Sequence, residues 1–179
     1  MQFSDEIRTI PDYPKPGIQF RDITTLLENP LALRAAVDQL AAPHEGAAEA
    51  LAPEIVVGIE ARGFIFGTAV AYSLGLGFVP LRKPGKLPGE TICRDFALEY
   101  GTARIELPIG SIQPGQKVLI VDDLIATGGT AEAAIELVRA AGGEIVECAF
   151  VIGLPDLGGM ERLEKLGCKV RTLCDFAGE

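Results

Sequence analysis

Apolar residues fall into two alternating textures along this chain: short unbroken runs rich in β-branched side chains, and longer stretches of helical character. The runs at 54–59 (EIVVGI), 77–81, 117–121 (KVLIV), 144–152 and 168–173 have the continuous hydrophobicity of strands covered on both faces. Between them, 31–42, 63–74, 129–141 and 157–166 read as helices, the first opened by Asn29-Pro30 and the second closed by Gly75. Strands separated by crossover helices build parallel sheets, so the pattern predicts an α/β fold, a parallel sheet flanked by helices.

One region breaks the alternation. Phe96, Leu98 and Tyr100 alternate with Ala97 and Glu99, Gly101 interrupts, and Ile105 and Leu107 then alternate with Arg104 and Glu106, the pattern of an antiparallel hairpin. The preceding residues 82–89 hold two prolines, two glycines and three cations, which predicts an exposed, mobile loop. The Ala/Glu-rich stretch 41–52 reads as a helix end and surface connection, and no internal repeat is visible.

Composition narrows the function classes. A chain of 179 residues with 48% hydrophobic content can bury one core, so a single domain over 1–179 is expected. A net charge of −9 argues against a surface built to bind nucleic acid or anionic lipid, since such surfaces need a basic excess. Any anionic ligand must be met by local positive groups. The N-terminus has neither a basic nor an apolar leader pattern and no run of about 18 apolar residues occurs, so a cytoplasmic location is expected. Cys93, Cys148, Cys168 and Cys174 form no C-x-x-C pair and are expected to be buried, reduced thiols; with a single histidine, His44, zinc is disfavoured. His44 itself reads as a surface residue at a helix end.

The strongest chemical signal is V-L-I-V-D-D-L-I-A-T-G-G-T over 118–130. Ala126, Thr127, Gly128, Gly129 and Thr130 lack bulk, so several backbone N–H groups can converge on a phosphate where a helix begins and its dipole favours an anion. Asp122 and Asp123 cannot bind phosphate directly, but adjacent carboxylates suit the vicinal hydroxyls of a ribose. No lysine follows the glycines and the G-x-G-x-x-G spacing is missing, which excludes the P-loop and dinucleotide fingerprints.

This segment resembles the PRPP-binding motif of the type I phosphoribosyltransferases, whose fold is a parallel sheet flanked by helices with a small hood and a flexible loop over the site. The resemblance implies a hood over about 1–30, a core over about 31–179 and a flexible loop over about 82–101. Three further stretches are similar to the adenine-specific branch of that family: 11–23 (PDYPKPGIQFRDI), 58–64 (GIEARGF), and 82–89 with Leu98-Glu99-Tyr100-Gly101. By that resemblance Phe20 stacks on the purine while the main chain of Gln19 and Arg21 reads its edge. Glu60, Ala61 and Arg62 hold pyrophosphate, Arg62 through its planar fork, and the corresponding peptide is often cis. Family members commonly have Asp-Ser where this chain has Glu60-Ala61, an exchange that backbone donation tolerates. Arg82, Lys83 and Lys86 match the loop that closes over pyrophosphate, part of which reaches a neighbouring subunit, so a homodimer is implied. Glu99 matches the catalytic carboxylate beside the base, with Arg62 at the leaving group.

The implied reaction is displacement of pyrophosphate from C1 of PRPP by N9 of adenine, giving AMP. Mg²⁺ would enter with PRPP and bind few or no protein ligands. Two rival readings remain open: a relative acting on another purine base, because the PRPP loop is shared across the family, and a non-catalytic PRPP-sensing regulator, which would need a DNA-binding extension or basic face.

Overall fold

A computed structural model describes residues 1–97 and 101–178. The chain opens with an antiparallel ribbon, β1 (Arg8–Pro11) and β2 (Gln19–Asp22), followed by helices α1 (Thr24–Glu28) and α2 (Pro30–Ala41). Helix α2 starts where it does because the Asn29 side chain accepts from the Leu31 and Ala32 amides and Pro30 fills the first turn. Then come β3 (Ile55–Ile59), α3 (Gly63–Leu74), β4 (Gly77–Leu81), the hairpin β5 (Thr91–Ala97) and β6 (Thr102–Pro108), and β7 (Lys117–Ile125). The chain finishes with α4 (Gly129–Ala140), β8 (Glu144–Gly153), α5 (Gly159–Lys165) and β9 (Val170–Asp175).

Five strands form one parallel sheet in the order β4-β3-β7-β8-β9, the predicted α/β architecture. Alternate residues of each strand enter opposite cores. On one face Val57, Val118, Ile120, Cys148 and Phe150 pack with Ala134, Ile135 and Val138 of α4. On the other, Val56, Leu119, Val121, Ala149 and Val151 pack with Phe66 and Val70 of α3, Ala32 and Leu40 of α2, and Phe3, Ile7 and Ile23 of the N-terminal region.

Several boundaries differ from the sequence reading. Strand β7 does not stop at Val121 but runs on to Ile125 along β8, so Asp122 and Asp123 lie within the strand. The apolar run ends earlier because the strand's last residues line a crevice, where charge is tolerated. The 157–166 helix resolves into a short 3-10 turn, Pro155–Leu157, and α5 from Gly159. Helix α1 and the β1–β2 ribbon carried no periodicity long enough to read. All four cysteines are free, but Cys93 is exposed on β5 and Cys174 is half-buried, against the expectation of burial.

His44 also departs from expectation. It ends a 3-10 turn, Ala42–His44, but is buried, with Nε2 3.5 Å from Oε1 of the fully buried Glu147 on β8. Glu147 also meets Arg171 Nε at 2.7 Å and Lys169 Nζ at 2.7 Å. Arg171 in turn donates to the carbonyls of Gln39 and Leu40, the unpaired end of α2. Burial would push the Glu147 carboxyl up, but hydrogen bonds from His44 and Lys169 and the Arg171 charge hold it at about 2. Because its folded value lies below its ordinary 4.5, the stability it supplies is present above that pH and is lost as pH falls towards about 2. Glu147→Gln is expected to destabilise the fold by about 3 kcal/mol at neutral pH, since it leaves the part-buried Arg171 guanidinium without its carboxylate. Denaturant titrations should show that loss shrinking below about pH 4.

Candidate active site

Strand order reverses between β3 and β7: β3 is followed by a neighbour on one side, whereas β7 leads to β8 and β9 on the other. Segments leaving the carboxyl ends of β3 and β7 therefore diverge to opposite faces and open a crevice between them, the usual ligand position in such sheets. The crevice is deepened because β3 pairs with β7 only as far as Gly58–Val121, while β8 accompanies β7 to Ile125–Gly153.

From β7 the chain turns through Ala126, Thr127 and Gly128 into α4. Gly128 has φ +80°, a conformation that places it at the helix start, and no side chain caps the first-turn amides. Those N–H groups and the helix dipole form a ready anion cradle. Thr127 is exposed and Thr130 half-buried, so two hydroxyls border the cradle.

Across the crevice, the segment after β3 carries Glu60, Ala61 and Arg62, with a cis peptide between Glu60 and Ala61. Gly63 must be glycine here, because a Cβ would lie 2.6 Å from Asp122 Oδ1 and 2.9 Å from the Val121 carbonyl oxygen. That close approach sets the start of α3 against the acid pair. Arg62 Nε lies 3.0 Å from Oδ2 of buried Asp123, and its guanidinium carbon is 5.6 Å from the centre of the Phe20 ring. Tyr13 meets the same ring edge-on at 5.2 Å. Phe20, Arg62 and Asp123 are thus brought together from β2, the β3–α3 turn and β7.

Asp122 keeps some exposed surface yet is enclosed by protein on most sides, and burial first, then the Asp123 charge, push its carboxyl well above the ordinary 3.8.

Gln19 is half-buried on β2. The Arg21 side chain donates to Thr9 Oγ1 at 2.6 Å and the Ala177 carbonyl at 3.1 Å and lies over the Phe176 ring, binding the ribbon to the C-terminal tail.

The basic loop is strapped at its root. Glu60 accepts from Arg82 Nε at 3.1 Å and from the Lys83 amide at 3.0 Å, while Arg82 Nη1 donates to the Lys86 carbonyl at 3.0 Å. Burial would raise the Glu60 carboxyl, but the Lys83 amide and Arg82 hold it below its ordinary value. Lys83 and Lys86 are exposed at the loop surface. Glu99, with Leu98 and Tyr100, lies outside the described residues.

The profile of the phosphoribosyl transferase domain family matches residues 22–175. An adenine phosphoribosyltransferase of Methylobacillus flagellatus is 59% identical over 176 residues, 98% of either chain. The solved adenine phosphoribosyltransferase of Rhodothermus marinus is 51% identical with a TM-score of 0.88, covering 97% of this chain and 96% of its own. That of Saccharomyces cerevisiae, solved with an imino-altritol bisphosphate and adenine, is 39% identical with a TM-score of 0.89, covering 96% of each. This chain belongs to the adenine phosphoribosyltransferase family.

Two contacts of this family member at the crevice were not singled out from the sequence. Arg162 of α5 reaches the Thr127 carbonyl at 3.4 Å, and Tyr13 flanks Phe20. Tyr13 lay inside a quoted motif without a role; Arg162 had no local signal, since its partners are some thirty residues away.

Asp122 supplies a pH test. Its folded value is raised, so the stability tied to its protonated form is complete below 3.8 and is lost as pH climbs through the folded value. Asp122→Asn, which stays neutral, is expected to gain stability relative to the parent as pH rises above about 4. Denaturation midpoints across that range test this, and a flat difference would contradict it.

Proposed function

We propose that this chain transfers the 5-phosphoribosyl group from PRPP to N9 of adenine, releasing pyrophosphate and AMP, as a purine-salvage enzyme of the cytoplasm. What carries this reading is the crevice at the β3–β7 reversal, where an amide-lined helix start and a carboxylate pair face an arginine and an aromatic ring. Amides 126–130 with Thr127 and Thr130 hold the 5-phosphate, and Asp122 and Asp123 take the ribose hydroxyls. The Glu60-Ala61-Arg62 segment, with Arg82, Lys83 and Lys86, holds pyrophosphate. Adenine stacks on Phe20, with Gln19 and Arg21 reading its edge through their main chains, a contact of about 1–3 kcal/mol by analogy with base–aromatic stacking.

In the reaction, the N9 lone pair forms a bond to ribose C1 as the C1–oxygen bond to pyrophosphate breaks, and Glu99 takes or shares the proton lost by the purine. No covalent intermediate with the protein is needed. The chain's own contribution is alignment, worth up to about 7–11 kcal/mol in well-oriented systems, and cationic control of the departing pyrophosphate. The loop over 82–90 closes to exclude water. A magnesium ion would be carried in on PRPP and held mainly by its oxygens; the residues fit that arrangement, since Asp122 and Asp123 stand at the ribose hydroxyls and Asp123 Oδ2 is buried with no hydrogen-bond partner beyond its ion pair with Arg62. When bound, that ion neutralises pyrophosphate charge.

A homodimer is part of this reading. Helix α3 has no charged residue from Gly63 to Leu74, yet Ile65 and Tyr72 stand exposed on it, Tyr72 by 88%, beside an open groove against α2. An apolar helix face of this kind suits a second copy. Tyr72→Arg is expected to shift the assembly from dimer to monomer in light scattering; a parent already monomeric at micromolar concentration would remove the dimer from this reading.

Pyrophosphate release measured with PRPP, Mg²⁺ and adenine, hypoxanthine, guanine or xanthine tests the function. Turnover confined to adenine is the expected result; a 6-oxopurine preference would overturn the base assignment, and no turnover would overturn catalysis. Asp123→Asn should lower kcat/KM for PRPP by about 10- to 100-fold, the scale of a hydrogen bond to a charged group, with a far smaller effect on folding.

A further inference from the structure

Helix α5 is pressed directly against the turn from β7 into α4. The Gly159 amide donates to the Ala126 carbonyl at 3.0 Å, and a Cβ on Gly159 would sit 2.1 Å from that oxygen and 2.7 Å from the Gly128 nitrogen. A Cβ on Gly128 would meet the Gly159 main chain at 3.0 Å. The two glycines interlock, so α5 forms the back wall of the turn.

One turn into α5, Arg162 uses both arms of its fork on this structure. Nη1 donates to the Thr127 carbonyl at 3.4 Å, and Nη2 pairs with Oε2 of Glu132. Glu132 stands in the first turn of α4, the helix whose free amides form the anion cradle, and its side chain is only 26% exposed. Left unpaired, that charge would stand in the first turn of the helix that carries the cradle and would oppose a second anion there. A Thr127 carbonyl released to turn inward would oppose it too.

We propose that Arg162 is a positioning residue for phosphoribosyl binding: it neutralises Glu132 at the start of α4 and holds the Thr127 carbonyl away from the cradle, leaving N–H groups to face the ligand. This rests on the reading of 126–130 as the 5-phosphate site. The guanidinium acts through the loop and not on the reacting atoms, so its removal weakens PRPP binding while adenine binding and the chemical step are spared.

Steady-state kinetics on four purified proteins test this: the parent, Arg162→Ala, Glu132→Gln and the double variant, with thermal melts to confirm folding. Arg162→Ala is expected to raise the KM for PRPP about tenfold, the scale of a charge-assisted hydrogen bond, with the adenine KM within about twofold. Adding Glu132→Gln should recover most of the loss, because the uncompensated charge is gone; a merely structural role for Arg162 would not be rescued that way. Arg162→Lys should fall between parent and Ala, since a point charge neutralises Glu132 but lacks the second arm. An unchanged PRPP KM, equal rises in both KM values, or failure of Glu132→Gln to rescue would each overturn the proposal. If Arg162→Ala is silent while Asp123→Asn still impairs PRPP use, only the Arg162 role falls. If both are silent, the site reading itself falls.

Discussion

Everything at the candidate site depends on one topological constraint, the reversal of strand order between β3 and β7. Parallel strands joined by right-handed crossovers force α3 and α4 to opposite faces when the order reverses. Two helix starts then converge on one crevice while their bodies diverge into separate cores. The extra four residues by which β7 outlasts its pairing with β3 project Asp122 and Asp123 into that crevice. Backbone connectivity alone thus delivers amides, carboxylates and an arginine to the same place.

Electrostatics resolve the tension of an acidic chain built to meet a polyanion. Arginines in and behind the crevice wall are matched with carboxylates: Arg62 with Asp123, Arg82 with Glu60, and, behind the turn, Arg162 with Glu132. In the free protein these pairs limit local repulsion and preset side-chain positions. On the proposed reading, arrival of PRPP exchanges partners, drawing Arg62 and Arg82 towards pyrophosphate while Asp123 turns to the ribose. Arg62 also faces Phe20, so the leaving-group and base regions share one side chain. The third pair lies behind the phosphate turn and has no reason to part.

Remote from the crevice, Glu147 does mechanical work of a different kind. Its buried carboxylate gathers His44, Lys169 and Arg171, and Arg171 closes the carbonyl end of α2. The arrangement fixes α2 to β8 and β9 and thereby supports the face on which α3 packs. A buried carboxylate is tolerated there because His44, Lys169 and Arg171 all face it.

The α/β class and the five sheet strands were legible in the chain because buried parallel strands impose unbroken apolar runs, and crossover helices impose a different period. The turn from β7 into α4 was legible for a local reason as well: Gly128, Gly129 and their small neighbours, together with the adjacent acid pair, occupy one continuous segment. Contacts between distant segments left no such mark. That Arg62 bridges Asp123 and Phe20, that Arg21 ties the ribbon to the C-terminal tail, that His44 is buried against Glu147, and that Arg162 braces Thr127 follow only from packing. A charged side chain reads the same in sequence whether water or a partner surrounds it, and segments tens of residues apart meet only once the sheet has formed. Sequence by itself determined the elements and the one contiguous motif; tertiary structure decided which charges face one another across the crevice, because strand order, which no local pattern encodes, sets those distances.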